Sequence, residues 1–288
     1  MRSATGGFIL AMLWLGGAAA APLAPSATAP APDTVVLAPH KAYYNLKLAR
    51  TNGSRAVNGL QGRILYDFSG SACEGYALRF RQISDLASGE GQDALSDLSA
   101  TSWEDGAAKK YRFTSQNKLN EQVSDDVNGH ADRKADTVAV TLEKPGDKTF
   151  SIPAGVVFPT EHMRKIIAAA RAGKKVLEVM IYDGSENGEK LYNTLTVIGH
   201  PIAPGEKPPE DAAAKVPEMA KLTRWPVTVS YFDRNPLKER TGEETPSYSI
   251  SFELYENGIS RALMLNYADF SIGGELASLE VKKAKPCK

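Results

Sequence analysis

Histidine and cysteine supply many catalytic bases, nucleophiles and metal ligands, and in this sequence they are few and far apart. The four histidines are His40, His130, His162 and His200, and the two cysteines are Cys73 and Cys287. No two of these residues have the spacing of a zinc site. His162 opens a predicted helix, where a cap or surface role is favoured over catalysis, because a base needs an oriented partner. We therefore expect no metal and no cofactor.

The segment 183–188 resembles the start of a calcium-binding loop. Asp183, Ser185 and Asn187 fall at its first, third and fifth positions, and Gly188 falls at the sixth. The bidentate glutamate is missing, because position twelve of the loop is Thr194. Segments 176–182 and 191–198 on either side are typical of strands, so a hairpin connection is favoured over a calcium site.

Motifs for other chemistry are missing as well. The sequence contains neither a Gly-x-Ser-x-Gly nucleophile elbow nor a phosphate-binding Gly-x-x-x-x-Gly-Lys loop. Acidic residues are plentiful, and we interpret them as solvated strand faces: Asp85, Asp97, Glu104, Asp105 and Glu253. The sequence therefore predicts a protein that is not an enzyme.

The first thirty residues have the composition of an export signal. Arg2 precedes an apolar run at 8–15, and Ala18 and Ala20 provide a small-residue cleavage site. The run is too short to span a bilayer core of about 30 Å, although a retained N-terminal anchor is the alternative. We predict a signal peptide at 1–20, a disordered Ala/Pro-rich spacer at 21–34, and a single periplasmic domain at 35–288.

The predicted export determines the expected oxidation state of the two cysteines. In an oxidising compartment, Cys73 and Cys287 are expected to form one disulfide, with two free thiols as the alternative. Closing so long a loop stabilises a chain by about 5 kcal/mol in the chain-entropy model. The bridge would fasten the extreme C-terminus to the first part of the domain.

The charge balance restricts the partners. The chain has 34 basic and 34 acidic residues, counting Lys and Arg against Asp and Glu. This balance argues against a nucleic-acid or anionic-membrane partner that is bound by bulk electrostatics. No segment after the signal is apolar enough to span a membrane, so we expect no transmembrane segment in the mature form.

Alternation of apolar and polar residues dominates the rest of the chain. It is clearest at 76–81, 138–142, 227–231 and 248–254, and it predicts half-buried strands. Asn257-Gly258 predicts a hairpin turn, and Asn128-Gly129 and Asn52-Gly53 are weaker candidates. Helical spacing predicts one helix over 161–172, capped by Thr160, and a poorer second helix over 211–221.

Several strings in this order resemble one family. They are YDFSGSACEGY at 66–76, FPTEH at 158–162, YDGSE at 182–186, WPV and SYF at 225–232, YENG at 255–258, DFS at 269–271, and Pro286-Cys287. Together they resemble the alphaproteobacterial cell-envelope integrity family called EipB, over the chain from about residue 35 to its end. The resemblance implies a periplasmic protein with a mostly β fold, a spiral or incompletely closed antiparallel β-barrel with one or two short helices. It also implies a disulfide that matches Cys73–Cys287, and an association with envelope maintenance under stress.

The fold implied by the resemblance is similar to that of bacterial lipoprotein carriers, so a curved sheet could hold a ligand on its concave face. We expect a lipid, a lipoprotein or a peptide there, unless the predicted helix fills the space itself. The candidate ligand-binding residues are Trp103, Phe158, Met163, Ile166, Trp225 and Phe252, and core packing is the alternative for each. A periplasmic scaffold for another protein is the second hypothesis, and an envelope-modifying hydrolase is the third.

Overall fold

The alternating segments of the sequence form one large antiparallel sheet. The computed structural model describes residues 35–51, 57–88, 93–234 and 244–283; the predicted signal peptide, the spacer, Asn52-Gly53 and Cys287 lie outside the described residues. Within them the chain forms fourteen strands and one α-helix. The first eight strands are β1 (His40–Thr51), β2 (Val57–Ser71), β3 (Gly75–Ser88), β4 (Ala94–Glu104), β5 (Lys110–Leu119), β6 (Gln122–Arg133), β7 (Thr137–Lys144) and β8 (Lys148–Pro153).

The second half begins with the helix. It is α1 (Pro159–Arg171), and the strands that follow are β9 (Val176–Ile181), β10 (Tyr192–Ile198), β11 (Arg224–Asp233), β12 (Tyr248–Tyr255), β13 (Ser260–Asn266) and β14 (Phe270–Val281). Two 3₁₀ helices, Ala212–Lys215 and Met219–Lys221, lie between β10 and β11. No helix among the described residues is long and apolar enough to cross a membrane.

The strands are ordered β8-β7-β6-β5-β4-β3-β2-β1-β14-β13-β12-β11-β10-β9. All strands adjacent in sequence therefore pair apart from β8 and β9, and β1 also pairs with β14, which joins the two halves. The sheet does not close, because β8 and β9 are edges within the described chain. The segment after β8 meets β9 through Val157, whose N–H donates to the Met180 carbonyl at 2.7 Å and whose carbonyl accepts from Tyr182 N–H at 3.0 Å. The expectation of an incompletely closed, mostly β architecture is confirmed.

The sheet curves around α1. Buried side chains of the helix, among them Ile166 and Ala170, belong to one apolar cluster with Tyr76 of β3 and Leu254 of β12. In the sheet order β3 and β12 are five strand spacings apart, which is about 24 Å in a flat sheet. One helix packs against both strands only if the sheet bends around it. We call the side of the sheet that faces α1 the inner face and the opposite side the outer face.

The helix starts slightly earlier than the sequence suggested. Its N-cap is Phe158, which makes no side-chain capping bond, so the prediction that Thr160 caps the helix is wrong. The carboxylate of Glu104 in β4 takes that role and accepts hydrogen bonds from the first turn of the helix. At the far end, Gly173 has a φ of +72°, as expected for a glycine after a helix.

The poorer predicted helix over 211–221 is broken into two 3₁₀ turns. Asp211 caps the first turn by accepting the Ala213 N–H at 3.0 Å. Pro217 then interrupts the pattern, because it has no N–H and restricts Val216 to extended backbone, where φ is −111° and ψ is 103°. The prediction of a single helix there is wrong.

Two of the predicted turns are present in the structure, and a third is not. Asn257-Gly258 connects β12 to β13, with Gly258 at φ +87°, and 183–188 lies in the β9–β10 connection, so both hairpins are confirmed. Asn128-Gly129 is not a turn but an irregularity inside β6. A Cβ on Gly129 would lie 2.7 Å from the Thr141 carbonyl oxygen, so the glycine permits close strand approach there.

Candidate functional site

The inner face beside α1 is filled by the protein's own side chains. Of the candidate ligand-binding residues, Phe158, Ile166 and Trp225 are buried there. Phe158 stacks on Tyr111 with ring centroids 5.1 Å apart, and Trp225 packs in the same apolar cluster as Ile166. The helix therefore occupies this part of the concave face, and these three side chains are core residues in the described fold.

Met163 lies beside a small cavity. The cavity has a volume of about 50 Å³ and is also lined by His40, Tyr66, Phe68 and Leu78. A buried water needs at least about 10–15 Å³ of such volume, so the space suits a few waters and not an acyl chain. Any larger ligand must lie farther along the inner face.

Beyond the helix, several apolar side chains of the inner face are only half-buried. The register places Phe80 opposite Tyr66, and Ile250 opposite Leu265, on this face. Phe252, a candidate ligand residue, lies opposite the buried Val227. The half-buried apolar set is Phe80, Leu98, Ile250, Phe252, Leu263 and Leu265. We call this set the inner apolar surface.

Tyrosines border the inner apolar surface. Tyr231 and Tyr248 stack with centroids 4.4 Å apart, and Tyr192 meets both rings edge-on at 5.9 and 6.0 Å. Among the described residues, the hydroxyls of Tyr66, Tyr231 and Tyr248 have no hydrogen-bond partner. Burial raises the pKa of Tyr66 to about 12 and raises those of the other two as well. The hydroxyls therefore stay neutral and can bond to a polar group of a ligand.

Trp103 does not belong to this site. It neighbours Glu104 in β4, whose side chain reaches α1, so alternation places Trp103 on the outer face. There its ring lies under the Arg112 guanidinium, with 5.9 Å to the ring centroid. The six candidate residues are therefore split among the core, the inner face and the outer face.

The start of α1 is held by buried charged groups. Glu104 is 2% exposed, and its two carboxylate oxygens accept the N–H groups of Thr160 and Glu161, each at 2.8 Å. Burial raises the pKa of Glu104 to about 7, although the two N–H donors act in the opposite direction. Arg133 donates to the Glu161 carboxylate at 2.9 Å and lies over the Phe158 ring. Glu104 is thus a structural anchor and not the solvated strand residue that the sequence suggested.

The loop that resembled a calcium site is an internal brace. The Tyr111 hydroxyl donates to the Asp183 carbonyl at 2.9 Å, and Gly184 lies so close to Phe113 that a Cβ would meet the ring at 2.3 Å. Burial raises the pKa of the Asp183 carboxyl, which opposes metal binding. Within the described ranges, no group of three His, Cys, Asp or Glu residues could hold a metal ion.

His162 is buried and not a cap or surface residue. Its side chain is in the core-facing part of α1, and Nε2 has no hydrogen-bond partner in the described chain. Burial lowers its pKa to about 4. Without a partner to orient the imidazole, the geometry supports no role as a catalytic base.

The chain was also compared with known proteins. The family model described as EipB-like matches residues 31–283. The chain belongs to the EipB-like family. One relative, the cell envelope integrity protein EipB of Brucella abortus (strain 2308), is 35% identical over 269 residues, which cover 93% of this chain and 90% of the relative.

A solved member of the family has the same fold. The crystal structure of a beta-barrel-like protein of a domain of unknown function from Brucella abortus matches with a TM-score of 0.79 and 34% identity. The match covers 87% of this chain and all of that one. The resemblance drawn from the sequence strings is therefore confirmed.

The sequence pattern predicts only a small part of the inner apolar surface. Phe252 is among the candidate ligand-binding residues, whereas the alternation at 76–81 and 248–254 predicts Phe80 and Ile250 only as strand residues. The alternation itself was the available signal, because it showed which residues share a face. What it could not show is where α1 stops covering that face.

Proposed function

We propose that this protein is a periplasmic, non-enzymatic factor for cell-envelope integrity that binds the apolar part of a lipid, lipoprotein or peptide on its inner apolar surface. The observation that carries the proposal is the incomplete burial of this surface. Phe80, Ile250, Phe252 and Leu265 point to the same side as the core cluster, yet each remains partly exposed.

The energetics favour an apolar ligand of moderate size. Fully burying a Leu, Ile or Phe side chain contributes about 1.5–3 kcal/mol, so completing the burial of a few of them is worth several kcal/mol. The free hydroxyls of Tyr66, Tyr231 and Tyr248 border the same surface and could bond to a carbonyl or ester group. A lipid-like ligand presents both kinds of group.

The proposed envelope function is supported by a relative, and the proposed periplasmic location is supported by the sequence. The named relative is a cell envelope integrity protein, and the sequence of residues 1–20 predicts export. A scaffold role is the second candidate, because β8 and the part of β9 before Met180 are sheet edges within the described chain and could pair with a partner strand.

A test of the ligand site begins with native mass spectrometry of protein purified from periplasm. We expect a co-purified lipid-sized mass and displacement of a fluorescent fatty acid by lipid. Phe252→Asp should weaken probe binding by about 30-fold, which corresponds to the roughly 2 kcal/mol of one buried Phe. The matched control is Val197→Asp, because Val197 is 49% exposed on the outer face of β10.

Two results would decide against the proposal. One is equal weakening of probe binding by both variants. The other is an apo mass for the periplasmic protein together with no detectable probe binding, which would favour the scaffold.

The predicted disulfide remains a proposal with geometric support. Val281 of β14 pairs with His40 of β1, and His40 pairs with Phe68 of β2, so Val281 and Phe68 lie about 10 Å apart. Cys73 is five residues beyond Phe68, in the exposed turn after β2, and Cys287 is six residues beyond Val281. At about 3.3 Å for each extended residue, that length of chain is sufficient to bring the two sulfurs together.

A further inference from the structure

Charged residues are distributed unevenly over a chain whose net charge is zero. The register of β1 to β5 places eight cationic side chains on the outer face: Lys41, Lys47, Arg63, Arg79, Arg81, Lys110, Arg112 and Lys118. Three acidic side chains share that face, namely Asp67, Asp85 and Asp97. The outward positions of β1 to β5, which we call the basic face, therefore carry an excess of five positive charges.

Most of these cations make no ion pair in the described part of the chain. Within the described residues, Lys47, Arg63, Arg79, Lys110 and Arg112 make no ion pair with a carboxylate. Their charges therefore remain available to a partner.

The acids of the basic face are themselves partly neutralised. Asp97 is bound by Arg81 through two hydrogen bonds of 2.9 and 2.8 Å, and Asp67 is bound by Lys282, which lies outside the set of eight. The positive excess is thus not cancelled by the carboxylates on the same surface.

Single aromatic and aliphatic side chains lie between the cations. Ile83 and Leu95 are 37% and 41% exposed, and Tyr43, Leu65 and Trp103 are partly exposed. Lys41 lies 5.3 Å from the Tyr43 ring centroid on this face. Tyrosine and tryptophan favour the boundary between water and lipid, where their rings and polar groups are both satisfied.

We propose that the basic face docks the protein onto an anionic phospholipid surface. The positive excess matches a negatively charged membrane, for which each nearby Lys or Arg contributes to attraction. The cations extend across five adjacent strands, a width of about 19 Å between the first and the fifth, which suits a continuous charged surface. The scattered apolar side chains can enter the headgroup region one at a time.

Carboxylates on the neighbouring strands limit the basic face on both sides. On the β14 side, Glu275 and Glu280 lie opposite Asn45 and Lys41, and on the β6 side Asp126 and Asp132 lie opposite Gln116 and Lys110. These carboxylates border the basic face and would be repelled by an anionic membrane. The inner apolar surface lies on the other side of the same strands, so docking does not require any occupant there.

Vesicle flotation tests the proposal with protein purified from periplasm. We expect binding to vesicles that contain about one third phosphatidylglycerol in phosphatidylcholine, and little binding to phosphatidylcholine alone. Binding should fall steeply as salt is raised to about 1 M, where the screening length is only about 3 Å. The triple variant Arg63→Gln, Arg79→Gln, Arg112→Gln should bind on the order of a hundredfold more weakly, since each residue contributes about fivefold.

The control removes the same charge elsewhere. Lys174, Lys175 and Lys215 are exposed and lie outside the basic face, so changing all three to Gln should leave vesicle binding close to wild type. Equal losses in the two triple variants, with matching circular dichroism spectra and melting temperatures, would contradict a localised docking face. Binding to polyglutamate without binding to anionic vesicles would assign the face to an acidic protein and overturn the proposal.

Discussion

Replacing Glu104 with glutamine should remove a pH dependence of stability that originates at the start of α1. Glu104 is almost fully buried, and its carboxylate accepts the N–H groups of Thr160 and Glu161. Glutamine has nearly the same shape but does not titrate. It also has only one acceptor oxygen, so one of the two N–H groups loses its partner at every pH.

The magnitude follows from the pKa of Glu104, which burial raises from 4.5 to about 7. Between these values the folded protein holds a proton that the unfolded chain has released. The free energy of unfolding therefore decreases as pH rises across this window, and is unaffected by this group below 4.5 or above about 7. A difference of about 2.5 pKa units corresponds to about 3 kcal/mol. The lost hydrogen bond adds a constant destabilisation of about 1–3 kcal/mol to Glu104→Gln.

Urea unfolding of both proteins, followed by circular dichroism at several pH values from about 4.5 to 8, measures the effect. The quantity to compare is the free energy of unfolding of the wild type minus that of Glu104→Gln, because titrations shared by both proteins cancel in this difference. We expect this difference to shrink by about 3 kcal/mol as pH rises through the window.

A constant difference would refute the reasoning about Glu104. A difference that grows as pH rises from about 4 would show the opposite sign: the two N–H donors and the positive end of α1 would then outweigh burial and lower the pKa of Glu104.

Two further predictions concern His162 and the cysteines. Burial lowers the pKa of His162 from 6.5 to about 4, so the folded state resists protonation and loses stability as pH falls through that range. In urea unfolding between pH 6.5 and 4, His162→Leu should therefore lose about 3 kcal/mol less stability than the wild type. The same loss of stability in both proteins would contradict this prediction. Alkylation of the denatured, non-reduced protein should label neither Cys73 nor Cys287, and Cys73→Ser should reduce stability by about 2–5 kcal/mol, whereas labelling of both thiols in the wild type would rule out the bridge.

Local sequence patterns predicted the elements well and their long-range supports poorly. Helical spacing located α1 to within a few residues, because an apolar face repeats in the sequence itself. The cap could not be found in the same way, since Glu104 lies 56 residues before Thr160 and reaches it only through the fold. Local spacing therefore points to Thr160 as the cap, although a buried acid on a distant strand holds the N-terminal turn.

Local sequence patterns also cannot show which of the candidate ligand-binding residues contact a ligand and which pack in the core. Bulk and apolarity predicted Phe158, Ile166, Trp225 and Phe252 as partners of a ligand, and all four do face the interior. Whether an interior side chain contacts a ligand or the protein depends on how much of the inner face α1 covers. Only Phe252 among these four is left partly exposed by the helix.

The register of β3 couples the two proposed surfaces. Leu78 and Phe80 face inward, while Arg79 and Arg81, which alternate with them, face outward, so one short segment contributes to both surfaces. Because side chains alternate with a period of two, a slip by one residue would place both arginines against the apolar interior. Burying such charges without partners costs several kcal/mol each, so the outward cations help to fix the pairing. The net charge of zero conceals this arrangement, because charge balance counts residues without regard to the face they occupy.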